Sequence, residues 1–96
     1  MTENQEDVLL WAINTYGVEH QYWKSVEELG ELIVEIARRQ DKRTTNEKIR
    51  EELADVMIMS EQLRIIVGAK GTDNWIKEKL KRLFLRLRSL SMGDRP

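Results

Sequence analysis

Pro96 is the chain's single proline, so no earlier residue carries the ring that breaks a helix. Glycines and capping residues then divide the chain into four segments of helical apolar spacing. The first runs from Thr2 or Asn4 to Gly17. Its Val8, Leu9, Ala12, Ile13 and Tyr16 recur on one helix face, and Gly17 reads as a C-terminal cap. The second runs from Val18 to about Arg39 and ends in RRQDKR, Arg38 to Arg43. Those cations suit the negative end of a helix dipole, or form a basic rim that attracts an anionic substrate. The third opens on TTNE, where Thr44 and Glu47 have capping-box spacing, and continues to Val67 before Gly68 stops it. GAKGTDN reads as a turn-rich connector, with Asp73 as the N-cap of a fourth helix from Asn74 to about Leu90. There Ile76, Leu80, Leu83, Leu87 and Leu90 alternate steps of four and three, a heptad-like seam. Residues 91–96, SMGDRP, read as a frayed tail. No strand-like alternation and no internal repeat of fixed period is apparent. The expectation is one all-α domain over residues 1–96, a four-helix bundle with short connectors between antiparallel neighbours.

At 96 residues the chain buries only a thin core if it stays alone, so assembly with other subunits is expected. The formal net charge of −1 argues against a dedicated nucleic-acid binder. Cysteine is absent, which removes disulfides and thiolate metal sites. The polar, acidic start MTENQEDV is unlike a signal peptide, and no apolar run approaches the roughly 20 residues needed to span a bilayer. A cytoplasmic protein with no membrane partner is expected.

The chemistry lies in two acidic stripes set in apolar surroundings. In VEELGELIVE, Val26 to Glu35, helical geometry stacks Glu28, Glu31 and Glu35 beside Leu29, Leu32, Ile33 and Val34. In EELADVMIM, Glu51 to Met59, Glu52 and Asp55 share a face among residues apolar almost all round. Such a helix is expected to be buried, with Asp55 kept from free water. If the two central helices pack antiparallel, Glu28 and Glu31 face Glu52 and Asp55. Four carboxylates at one point repel, and a hard divalent cation, Mg²⁺ or Mn²⁺, is the natural counter-charge. Zinc fits poorly, because His20 is the only histidine. The plainer reading is chance E-x-x-E spacing on glutamate-rich helices, with Glu52 favoured near a helix N-terminus in any case.

EELGEL (Glu27 to Leu32) followed by EELADV (Glu51 to Val56) resembles the MazG-like all-α nucleoside triphosphate pyrophosphatases, which are marked by E-x-x-E, a spacer and E-x-x-D. The likeness covers roughly residues 18–86. It implies a Mg²⁺-dependent hydrolase that cuts a nucleoside triphosphate between the α and β phosphates, leaving the monophosphate and pyrophosphate. It further implies that Glu28, Glu31, Glu52 and Asp55 hold the metal. Glu31, with Glu28 beside it, is then the candidate to orient or deprotonate the attacking water. The family carries a lysine and an arginine on its last helix. Lys79 and Arg82 match best, with Arg86 next, but KLKRLFLRLR lacks the asparagine often found in that stretch. A homodimer or homotetramer is implied, because family members of this length resemble half of a larger bundle.

Lys24 lies one turn before Glu28 and is either its intrahelical partner or a substrate cation. Gln21, on the carboxylate stripe, is a candidate to read a base edge, and Trp11 and Trp23 are candidates to stack on a base. Trp23 is otherwise expected in the core, and Trp11 and Trp75 at a subunit interface. His20 is expected to be exposed or capping. The competing reading is a non-enzymatic helical interaction module whose carboxylates only make salt bridges with Lys24, Lys48 and arginine partners.

Overall fold

The computed structural model describes residues 1–93. The described residues form four α-helices: α1 Glu3–Tyr16, α2 Val18–Gln40, α3 Asn46–Val67 and α4 Ala69–Ser91. Ser91 closes α4, so the tail is helical for one residue more than expected; residues 94–96 lie outside the described part. No helix among the described residues is long and apolar enough to cross a membrane. The chain divides into two units, Met1–Ile66 and Val67–Pro96.

In the first unit, Thr2 caps α1 through a capping box: its hydroxyl accepts from the Gln5 amide, and the Gln5 side chain accepts from the Thr2 amide. Gly17, at φ 91°, ends α1 and begins α2, a conformation that side-chain-bearing residues resist. The α2–α3 turn closes with two bonds, Lys42 N–H to the Arg39 carbonyl and Arg43 N–H to the Arg38 carbonyl. This is the Schellman pattern. Lys42 occupies its left-handed position at φ 57°, where glycine is the usual residue. The α3 cap differs from expectation. Thr45, not Thr44, accepts from the Lys48 amide. Thr44 turns away to donate its hydroxyl to the Glu35 carboxylate. Either threonine can cap, and the buried carboxylate claims the first.

The helices α2 and α3 run antiparallel. Gln21 meets Gln62 at one end and Glu35 meets Thr44 at the other. The seam between them is polar. Its buried residues are Gln21, Ser25, Glu28 and Glu35 from α2 and Glu52, Met59 and Gln62 from α3. With Leu9 and Ile13 of α1, Met59 completes the buried apolar set among the described residues. The outward faces of α2 and α3 are apolar and uncovered. Leu53, Met57 and Ile58 are exposed, which corrects the expectation that α3 is buried all round. Trp23, expected in the core, is 71% exposed, because residue 23 points away from the Gln21–Ser25–Glu28 seam.

The glutamine pair fixes the register of this hairpin. Gln21 Nε2 donates to Gln62 Oε1 at 2.6 Å, and both side chains are buried. Replacing Gln21 alone with leucine leaves the Gln62 acceptor unsatisfied and costs about 1–3 kcal/mol. The double replacement Gln21→Leu/Gln62→Leu removes both polar groups and recovers most of that loss. Urea unfolding of the four proteins in this cycle measures the coupling. Strict additivity would contradict the pairing.

In the second unit, Gly68 at φ 108° precedes α4 directly, and Thr72 donates its hydroxyl to the Gly68 carbonyl. The expected connector is therefore helical, and Asp73 lies inside α4 rather than at its cap. Gly71, Thr72, Asp73 and Asn74 are poor helix formers that look like a loop. One positive-φ glycine supplies the whole turn. The residues Ile76, Leu80, Leu83, Leu87 and Leu90 form the expected stripe and are exposed.

Candidate metal centre

Helical spacing brings four carboxylates to one place. Glu28 and Glu31 lie one turn apart on α2, and Glu52 and Asp55 one turn apart on α3. One carboxylate oxygen from each lies within 4.8 Å of those of the other three. The set matches the four acids expected to hold a divalent ion. Glu35, third on the α2 stripe, does not join it. Its carboxylate is buried against the Thr44 hydroxyl and the Arg38 guanidinium, 2.9 Å away. The Thr44 hydroxyl bond, ahead of the Arg38 charge, holds it below the usual glutamate range.

The cluster is graded from wall to mouth. Glu28 and Glu52 are 9% and 8% exposed, whereas Glu31 and Asp55 are open to solvent. Asp55 was expected to be shielded. It is not, because α3 is covered on only part of its circumference. Each buried glutamate has one oxygen facing a lysine one helical turn earlier: Glu28 Oε1 lies 3.3 Å from Lys24, and Glu52 Oε1 lies 3.3 Å from Lys48. The second oxygen of each, Glu28 Oε2 and Glu52 Oε2, is buried without a hydrogen-bond partner. A buried anionic oxygen left unpaired is costly, and a cation bound between the helices relieves it. The crowding also acts on Glu31: the charge of Glu28, then desolvation, then the charge of Glu52 push its carboxyl above the usual range. These features suit a hard, oxygen-coordinated divalent ion.

The two halves of the cluster share a pattern that the sequence reading missed. Lys24 to Glu31 reads KSVEELGE and Lys48 to Asp55 reads KIREELAD, so both are K-x-x-E-E-L-small-acid. The antiparallel hairpin sets the two copies head to tail, and their lysines fall at opposite ends of the cluster. Comparing each lysine's position with the E-E-L that follows it would have singled out Lys48 beside Lys24. Both lysines are held charged, chiefly by their hydrogen bonds to Glu28 and Glu52.

The remaining candidates fall elsewhere. Gln21 is engaged with Gln62, and His20 Nδ1 lies 2.8 Å from its Oε1. His20 is exposed as expected and stacks on Tyr16, with ring centroids 5.1 Å apart. Trp11 is exposed and lines an apolar groove with Val8, Ala12, Thr15 and Tyr16. Lys79 and Arg82 belong to the second unit, where each lies 5.9 Å from the ring centre of Trp75. A cavity of about 560 Å³ adjoins the carboxylates and is lined by Glu27, Gly30, Glu31, Val34, Glu35, Arg38, Lys48 and Glu52. Gly30 contributes no side chain to it. Compared with protein-family models, with curated proteins and with solved structures, the chain matches none.

Proposed function

We propose that the chain is a Mg²⁺-dependent nucleotide pyrophosphohydrolase, with Mn²⁺ as a working substitute, that converts a nucleoside or deoxynucleoside triphosphate to its monophosphate and pyrophosphate. The observation that carries this reading is the meeting of Glu28, Glu31, Glu52 and Asp55 within 4.8 Å, with two of their buried oxygens unpaired. The resemblance of EELGEL and EELADV to the MazG-like pyrophosphatases supplies the reaction. Glu28, Glu31, Glu52 and Asp55 would hold the ion. Bound there, it would act as a Lewis acid toward phosphate oxygens and make water a better nucleophile. Glu31 is at the solvent side of the cluster. In this reading it would take the proton of the attacking water, with Glu28 orienting it. Lys24 would offset charge on the substrate. A clearing or regulatory role in the nucleotide pool follows from such a reaction.

The same reading includes a homodimer or homotetramer. Tyr22, Val26, Leu29, Ile33 and Ile36 alternate in heptad steps along α2, and all are exposed within the chain. This stripe lies roughly half a turn around α2 from Glu31 and Arg38, so a second copy packed on it leaves the carboxylates open. With so few apolar side chains buried internally, association supplies the core that one chain lacks. Sedimentation should give a multiple of the 11.4 kDa chain mass, with Ile33→Glu shifting it to monomer. A wild-type monomer would contradict the assembly.

The competing reading, an interaction module without catalysis, draws on the ion pairs of Lys24 with Glu28 and Lys48 with Glu52, which already neutralise part of the cluster. Pyrophosphate release from a panel of nucleoside triphosphates in the presence of Mg²⁺ separates the two. The hydrolase releases it from at least one member, and release from none removes the enzymatic reading.

A further inference from the structure

The K-x-x-E-E-L-small-acid pattern makes the centre of the hairpin nearly twofold, but its two ends differ. At the Lys24 end, the seam is closed by the buried Gln21–Gln62 pair. At the Lys48 end it opens into the 560 Å³ cavity, where Arg38 joins Lys48 on the wall and Lys24 takes no part. Both side chains are within reach of solvent, Arg38 at 50% and Lys48 at 45% exposure.

We propose that Lys48 and Arg38 form an anion subsite beside the carboxylates, taking the pyrophosphoryl end of a polyphosphate whose neighbouring phosphate meets the metal. The proposal rests on the metal-dependent reading above and gives the site a direction: the phosphate tail points toward Arg38 and the α2–α3 turn, away from Gln21. Three observations carry it. First, the two cations and the acids Glu31 and Glu52 share one cavity wall. An anion there touches positive groups while its neighbouring oxygens reach the ion. Second, neither cation is consumed by its present partner. Arg38 uses Nη1 on Glu35, leaving the other donors of its planar fork free for a phosphate. Lys48 holds Glu52 at 3.3 Å and Glu51 at 3.8 Å. A divalent ion on Glu52 competes for that carboxylate and loosens the pair, which frees the ammonium for an incoming anion. Third, the cavity includes Gly30, where an added Cβ would meet nothing within 4 Å.

The test is calorimetric and needs no turnover. Wild type, Lys48→Gln, Arg38→Gln and the control Lys77→Gln, an exposed lysine with no assigned role, are titrated with Mn²⁺ and then, saturated with Mn²⁺, with inorganic pyrophosphate. Circular dichroism checks that each variant is folded. Wild type is expected to bind both. Lys48→Gln should bind Mn²⁺ as tightly or more tightly, because a competing cation near Glu52 is gone, yet lose pyrophosphate affinity at least tenfold. Arg38→Gln should keep Mn²⁺ affinity within about threefold and lose pyrophosphate similarly; Lys77→Gln should change neither. Unchanged pyrophosphate binding in both cavity variants overturns the subsite, as does a wild type that takes Mn²⁺ but not pyrophosphate. Absence of Mn²⁺ binding in wild type overturns the subsite together with the metal centre beneath it. Binding of both ligands by a protein that hydrolyses no nucleotide supports the subsite and removes only the hydrolase reading.

Discussion

Replacing Asp55 with alanine is expected to lower Mg²⁺-dependent pyrophosphate release by about 10³-fold or more while leaving the helices intact. The size follows from what is removed. One of four converging carboxylates goes, and with it part of the field that would fix the proposed ion and its water. A loss of about 4 kcal/mol in transition-state stabilisation corresponds to that factor. Folding should survive because Asp55 is exposed, so alanine buries nothing awkward and has higher helix propensity. Relief of repulsion within the cluster should hold or raise the metal-free melting temperature. Lost activity with retained stability separates a ligand from a structural ion pair. A variant that hydrolyses nucleotides normally would place the reaction elsewhere.

How far the residues announced this site depends on which physical constraint each obeys. The meeting of Glu28 and Glu31 with Glu52 and Asp55 was legible because helical periodicity puts each pair on one face, and a short turn forces the two helices antiparallel. Local chemistry that depends on one neighbour was harder to read. Thr44 and Thr45 both have capping potential, and only the position of buried Glu35 shows why the second caps and the first does not. Asp73 looked like a cap because its neighbours are weak helix formers, while the deciding feature was the single positive φ of Gly68. Trp23 and Asp55 were misplaced for a shared reason. An apolar stretch predicts burial only if something covers it, and within this chain the outer faces of α2 and α3 are bare. Lys48 is expected from the sequence only as a salt-bridge partner, because the octapeptide likeness to the Lys24 segment is too short to register as a repeat and shows itself only when the hairpin lays the copies side by side.

The central claim is that acids from α2 and α3 form one divalent-ion site, and thermal unfolding with added Mn²⁺ tests it most directly. An ion that binds only the folded chain stabilises it by about 2.7 kcal/mol at a hundred times its dissociation constant, enough to raise the melting temperature of a domain this size by about 10 °C or more. Glu28→Gln on α2 and Asp55→Ala on α3 should each abolish most of that rise, because Glu28 Oε2 has no other partner and Asp55 completes the set from the facing helix. Melting temperatures indifferent to Mn²⁺ in wild type, or a full rise retained when either helix loses its acid, would contradict the shared site.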